Sequence, residues 1–229
     1  MTKRLSIIIP TLNEEDHLEQ TLSQLSSEED VEVIVVDGRS SDATRDIAKA
    51  CEAEIISSPK GRGIQMNRGV KASSGELLLF LHGDTTLPCG FAPLMRKVMG
   101  KPGYSAGAFA LKINSGRPLL SLIAHSATLR SRLLQMPYGD QGIFTSREMY
   151  DRAGGFAEVP IMEDYIFIRE LKKYGRIFIL HEAAVTSARR WQNMGAIRTT
   201  VVNQLIVTGY LCGVKPPTLA RWYQRLKGL

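Results

Sequence analysis

Three runs of strand length, Leu5 to Ile9, Val31 to Val36 and Leu77 to Leu81, are apolar at successive positions instead of alternate ones, interrupted only by Ser6 and Glu32. A strand with one wet face alternates. Runs like these need apolar cover on both faces, the condition of a mostly parallel sheet packed between two layers of helices. The stretches between them supply that cover. Glu14 to Leu25 places Leu18, Leu22 and Leu25 on one helical face behind Asn13 as N-cap, and Ser40 or Ser41 caps a second helix running to about Cys51. The pattern predicts an α/β fold, an αβα sandwich with a mostly parallel central sheet and helices on both faces.

The alternation continues along the chain. Glu54 to Ser57 reads as a strand, and Gly63 to Ala72 as a helix reached through Gly61-Arg62-Gly63. Phe91 to Met99, Leu119 to Leu134 and a stretch from about Glu163 read as helices; Gly107 to Lys112, Ile143 to Thr145 and Arg176 to Leu180 read as strands. No repeat or linker divides the 229 residues, so one domain is expected over 1–229, with two halves (1–112 and 113–191) and a helical tail (192–229).

Charge is uneven. The net charge is +6, yet Glu182 is the last acidic residue and seven bases follow it, leaving the preceding body with 22 basic against 23 acidic residues. The basic, apolar tail either meets an anionic membrane surface or a phosphate-bearing substrate, or forms a solvated basic helix; Leu205 and its neighbours can equally be buried in a homodimer or against the sheet. No nucleic-acid partner is expected. Three cysteines at wide spacing, without a Cys-x-x-Cys pair, fit a reducing cytoplasm. The apolar run after Met1-Thr2-Lys3-Arg4 is too short for a signal peptide, so a cytoplasmic protein, peripheral at the inner face of the membrane if the tail binds there, is expected.

Polar residues gather where the first, second and fourth strands end: Pro10-Thr11-Leu12-Asn13-Glu14, Asp37-Gly38-Arg39-Ser40-Ser41-Asp42 and His82-Gly83-Asp84. Open α/β sheets bind ligands at these carboxyl ends. Taken singly, each cluster is also an ordinary helix cap, Asx-turn or loop acid.

In this order the clusters resemble the family-2 glycosyltransferases of the GT-A fold, and the likeness continues through Asp140-Gln141-Gly142, Gly154-Gly155-Phe156 and Glu163-Asp164. Lys60 to Gly69, with Leu79 to Thr85, is similar more narrowly to the radical-SAM/selenodomain-associated transferase 2 group. The resemblance implies transfer of one sugar from a nucleotide-sugar, a UDP-sugar or a GDP-sugar, to a hydroxyl acceptor, lipid-linked if the tail meets a membrane. Pro10, Thr11, Asn13, Glu14, Asp37, Gly38, Arg62 and Gln65 would then bind the donor, with the two glycines beside Arg62 letting backbone approach it. Asp84 would hold Mn²⁺ or Mg²⁺; His82, where the family has another aspartate, would join it as a ligand, or else contact the ribose or cap the strand. Asp164, with Glu163 beside it, would serve as catalytic base in an inverting displacement. Asp140, Gln141, Arg189, Arg190 and Trp191 would face the acceptor or diphosphate, the indole stacking on a sugar. The full Gln-x-x-Arg-Trp signature is absent, which favours single-sugar transfer over processive synthesis.

Other classes fit less well. A nucleotidyltransferase wants a glycine-rich, basic loop after the first strand, where this chain has Pro10 to Glu14. A dinucleotide oxidoreductase wants a third glycine after Gly61-x-Gly63. A non-catalytic sugar-nucleotide-binding module at the membrane surface has no use for Asp84 and Asp164 together.

Overall fold

The computed structural model describes residues 4–25, 28 and 30–228. Met1 to Lys3, part of the reading against a signal peptide, lie outside them. The strands are β1 (Leu5–Thr11), β2 (Val31–Asp37), β3 (Glu54–Ser57), β4 (Leu77–Phe80), β5 (Thr85–Thr86), β6 (Tyr104–Asn114), β7 (Ile143–Ser146) and β8 (Arg176–Ser187). The helices are α1 (Leu18–Ser23), α2 (Thr44–Ala50), α3 (Arg62–Ala72), α4 (Phe91–Met99), α5 (Pro118–Leu134), α6 (Arg147–Arg152), α7 (Glu163–Leu171), α8 (Arg189–Met194), α9 (Ala196–Leu211) and α10 (Pro216–Gly228).

All the strands join one sheet in the order β3-β2-β1-β4-β7-β6-β8-β5. The first four positions are parallel throughout, β7 runs antiparallel between β4 and β6, and β6 and β8 pair in parallel. The apolar runs are buried on both faces, as their pattern requires. Ile8, Ile34, Val36, Leu78 and Phe80 point to one face with Val70 of α3 and Phe167 of α7. Ile7, Ile9, Val35, Leu77 and Leu79 point to the other with Leu18 of α1 and Phe91 of α4. Burying each such side chain is worth about 1.5–3 kcal/mol, so the sheet centre anchors the strand ends that build the site.

Two caps expected from the sequence do not form. Asn13 takes a positive φ of 56°, and α1 starts only at Leu18. Its amide oxygen instead accepts the Ser41 N–H at 2.9 Å, while its own N–H donates to Ser40 Oγ at 2.9 Å. Glu14 N–H donates likewise to Thr44 Oγ1 at 2.8 Å, and α2 begins at Thr44 with neither serine capping it. These side chains tie the β1 and β2 loops to each other.

The glycines around Arg62 also serve packing. A side chain on Gly63 would collide with the Ala157 carbonyl, so Gly63 lets α3 lie against the loop before α7. The final strand is longer than its apolar core suggested, because β6 and β5 pair with it as far as Ser187. The tail folds onto the sheet: Val202, Ile206 and Leu219 are buried in the core under β4 and α7. Among the described residues no helix is long and apolar enough to cross a membrane.

Candidate active site

The carboxyl ends of β1 and β4 meet the amino ends of α3 and α7 at one edge of the sheet, where a cleft of about 530 Å³ opens. That is a volume suited to a small-molecule ligand. Hairpin-like pairing of β5 with β8 completes it. Thr85 lies opposite Thr186, the Asp84 carbonyl accepts the Ser187 N–H at 3.1 Å, and residues a hundred positions apart share one wall.

Four carboxylates and three guanidiniums from distant parts of the chain line this cleft: Glu14, Asp84, Asp140 and Asp164 with Arg62, Arg189 and Arg190. Arg189 Nη2 reaches Glu14 Oε2 at 2.6 Å and lies 3.9 Å from Asp84 Oδ2. Burial lifts the Glu14 carboxyl above its ordinary range, opposed by Arg189 and reinforced by the neighbouring Asp84. Arg190 donates to Asn203 Oδ1 at 2.7 Å and stands over the Tyr223 ring, which fixes it between α8 and the tail helices.

Asp164 and Glu163 are adjacent in sequence and opposite in role. Asp164 faces the cleft, its Oδ2 accepting the Gly139 N–H at 2.8 Å and its Oδ1 the Tyr165 N–H at 2.7 Å. Glu163 is buried, with Oε1 at 2.6 Å from Arg62 Nε. Burial raises the Glu163 carboxyl, and Arg62 pulls it back toward the ionised form.

Asp140, on a short 3-10 turn (Gly139–Gln141), has its carboxyl pushed up to about 6 by burial, with Arg190 opposing and Asp164 adding to the rise. His82 is pulled down to about 4 by burial and by Arg62, against Asp84 and Asp164, so its ring is neutral at pH 7. A carbon added to Gly139 would sit 2.9 Å from His82 Nε2 and 3.3 Å from Asp164 Oδ2, so Gly139 lets its backbone approach both side chains.

Several expected site residues lie behind the cleft wall instead of in it. Gln65 donates from Nε2 to the Thr11 and Val36 carbonyls at 2.9 and 2.7 Å, bracing β1 against β2. Gln141 braces β6 by donating to the Phe109 carbonyl at 2.9 Å. Asp37 is fully buried and accepts the Arg39 and Ser40 N–H groups, shaping the loop that begins at Gly38. Asn13 is occupied by Ser40 and Ser41. The buried Thr11 hydroxyl has no hydrogen-bond partner among the described residues. Trp191 borders the cleft, yet it is only 6% exposed and packs with Leu111, Ile113 and Leu120, so it shapes the wall.

Conversely, sequence reasoning passed over Tyr138, Ser187 and the tail residues Asn203, Ile206, Val207 and Tyr223, all of which border the cleft. Tyr138 was within reach, as the neighbour of Asp140. Asn203, Ile206 and Val207 carried no signal, because polar and apolar residues are intermixed along α9.

Among the described residues no group of three or more His, Cys, Asp or Glu side chains is arranged to hold a metal by itself. The donor set fits a cation shared with a ligand. Asp84 offers carboxylate oxygen at the cleft surface and neutral His82 offers nitrogen, and Mg²⁺ or Mn²⁺ bound with diphosphates commonly takes one or two carboxylates plus phosphate oxygens.

An open sheet with acids and arginines at its carboxyl edge is a small-molecule α/β site. The model for "Glycosyl transferase family 2" matches residues 6–156, so the chain belongs to that family. Its fold is GT-A. A mannosyltransferase from Pyrobaculum calidifontis, solved in complex with GDP-Man and Mn²⁺, superposes with a TM-score of 0.69 at 17% identity, covering 100% of this chain and 74% of that one. Among curated relatives, a PGL/p-HBAD biosynthesis glycosyltransferase of Mycobacterium bovis is 41% identical over 91 residues, 36% of each chain. The GalNAc(5)-diNAcBac-PP-undecaprenol beta-1,3-glucosyltransferase of Campylobacter jejuni is 30% identical over 113 residues, 44% of this chain and 36% of that one. The chain spans roughly a third of the length of the curated relatives it matches. Asp164 and Arg189 to Trp191 lie beyond the family match.

Proposed function

We propose that this chain transfers one sugar, with inversion, from a nucleoside-diphosphate sugar to a hydroxyl of a lipid-linked acceptor, and that it does so with a divalent metal. The observation that carries the reading is the convergence of Asp84, Asp140 and Asp164 with Arg62, Arg189 and Arg190 on one cleft. A departing diphosphate needs cationic partners and an attacking hydroxyl needs a carboxylate, and here both stand within one small-molecule volume. The narrower likeness to the radical-SAM/selenodomain-associated transferase 2 group belongs to the same proposal, as do a donor half over 1–112, an acceptor half over 113–191 and a cytoplasmic, membrane-peripheral location.

Pro10, Glu14 and Arg62 touch the donor, while Thr11, Asn13, Asp37, Gly38 and Gln65 hold the loops that form its seat. Arg62, fixed through Nε by Glu163, presents its remaining N–H groups to phosphate. Arg189 and Arg190 stand on the leaving-group side. Asp164, held by two backbone N–H groups, accepts the acceptor hydroxyl's proton as its oxygen bonds to the anomeric carbon and the bond from that carbon to the diphosphate oxygen breaks. Asp84, with His82, would hold Mn²⁺ or Mg²⁺, which supplies charge neutralisation of the leaving diphosphate. A specific observation favours Asp140 as a second candidate base: its carboxyl sits near 6, close to working pH.

The choice of donor draws on the Pyrobaculum neighbour's GDP-Man and Mn²⁺, and the lipid-linked acceptor on the Campylobacter relative's name. A thermal-shift series with UDP and GDP, each with and without Mn²⁺, tests the binding, and proton NMR of the product from an α-linked donor tests the inversion. Melting temperatures unmoved by either nucleotide with the metal would remove the reading.

A further inference from the structure

α5 and α9 each present an apolar face that no other described residue covers. On α5, Leu122, Leu129 and Leu133 are 66%, 58% and 73% exposed, at spacings that place them on one side of the helix. On α9, Ile197, Val201 and Leu205 recur every fourth residue and are at least half exposed, while Val202 and Ile206 of the same helix are buried. The two helices adjoin, since Ala196 packs into the cluster of Leu120, Ile123, Ala124 and Ala127 on α5. Five of the eleven large hydrophobic side chains exposed among the described residues lie on α5 and four on α9, so the exposure is concentrated on this pair.

Charge selects the occupant. Residues 113–139 and 183–229 contain no aspartate or glutamate, whereas Arg117 and Arg132 lie on or beside α5 and Lys215, Arg221 and Arg225 follow α9. None of these bases is in an ion pair among the described residues. A second copy of the chain would set base against base. An anionic bilayer would take the apolar side chains at its acyl boundary and the bases among its headgroups. Neither helix spans; each has the length and one-sided exposure of a helix lying in the interface.

The same α9 walls the cleft with Asn203, Ile206 and Val207. We infer that the α5–α9 face is a docking surface for an anionic lipid bilayer, and that it holds the cleft at headgroup level. Only the consequence that the acceptor comes from the bilayer rests on the transferase reading.

Flotation of the full chain with phosphatidylglycerol–phosphatidylcholine vesicles, against phosphatidylcholine alone, tests the surface. The chain is expected to float with the anionic vesicles, to be released as salt rises, and to stay behind with neutral ones. Leu122→Gln/Leu129→Gln/Leu133→Gln is expected to lower the bound fraction about tenfold, and Val201→Gln/Leu205→Gln likewise. Turnover of a nucleotide-sugar in solution should be unchanged in both variants, since none of these residues borders the cleft. Absence of flotation, flotation indifferent to both variants, or a solution dimer that the triple variant converts to monomer would overturn the inference. Flotation as expected with no nucleotide-sugar turnover in any variant would instead sink the transferase reading and leave the docking surface standing.

Discussion

Arg62 Nε lies 2.6 Å from Glu163 Oε1, so the first residue of α3 is pinned to the first residue of α7 across a span of 101 positions. The two ends of this pair differ in environment: the Glu163 side chain is 3% exposed and the Arg62 side chain 46%. A carboxylate buried on one side and bonded to an arginine on the other is out of reach of an acceptor hydroxyl. Glu163 therefore positions Arg62, whose outer N–H groups face the cleft, and the neighbouring Asp164 is left to face the cleft itself.

Glu163→Gln keeps the side chain's shape and removes its charge. The Arg62 guanidinium is then held less firmly, and losing a charge-assisted hydrogen bond of this kind costs about 1.5–3 kcal/mol. Steady-state kinetics should show the donor KM rising about tenfold with a smaller change in kcat, because ground-state positioning is what the pair supplies. A loss confined to kcat would return Glu163 to a role in the chemistry.

Asp164→Asn should behave in the opposite way. The amide keeps the bond from Gly139 N–H on its oxygen but cannot take a proton, so kcat is expected to fall by about 10²–10⁴-fold while donor binding changes little. Asp140→Asn measured beside it decides between the two candidate bases: whichever variant loses the larger factor in single-turnover transfer carries the proton.

How much of this could be read in advance follows from the kind of information each residue carries. Leu5 to Ile9, Val31 to Val36 and Leu77 to Leu81 declared themselves because burial on both faces leaves a local signature, and Phe91–Met99 was readable as a helix because Phe91, Ala92, Met95 and Val98 recur at the spacing of one buried helical face. Asn13 and Ser40 were misread as caps because a side chain that can satisfy its own helix can also satisfy a loop 27 residues away, and only the fold decides. Glu163 and Asp164 were readable as a pair but not as a pair with separate tasks. Consecutive helical residues point about 100° apart, so one reached the cleft and the other the core. Gln65 and Gln141 are chemically indistinguishable from ligand-binding amides until their carbonyl partners are seen.

Asp140 gives a prediction in pH. Its carboxyl is raised from 3.8 to about 6 in the folded chain, so between those values the folded state holds a proton that the unfolded state has released. Stability from this group is complete below about pH 4 and is lost as pH rises through 6. The span corresponds to an upper limit near 3 kcal/mol, which water in the cleft reduces to about 1 kcal/mol. Asp140→Asn should accordingly melt higher than the parent at pH 7 and equally at pH 4, and thermal denaturation at the two pH values checks this.

Asp84→Asn tests the metal site apart from the chemistry. If Asp84 is the carboxylate that shares a cation with the donor, Mn²⁺ should raise the melting temperature of the UDP-bound or GDP-bound parent by several degrees, and chelation should remove the increment. The variant should bind nucleotide weakly and show no such increment. Retention of the increment would mean that the cation sits elsewhere.

Two glycines separate activity from stability by what a single added carbon would meet. On Gly139 it would stand 2.9 Å from His82 Nε2 and 3.3 Å from Asp164 Oδ2, both ends of side chains that can swing aside. On Gly63 it would meet the Ala157 carbonyl, which belongs to a backbone that cannot. Gly139→Ala should therefore keep its melting temperature within a few degrees and lose about tenfold or more in kcat, since displacement of a reacting group by a fraction of an ångström is costly to rate. Gly63→Ala should lose about 1–3 kcal/mol of stability as α3 is pushed from the loop before α7. Donor affinity should weaken with it, because Arg62 moves with that helix end. Equal losses of stability in the two variants, by chemical denaturation, would show that Gly139 is a packing position like Gly63.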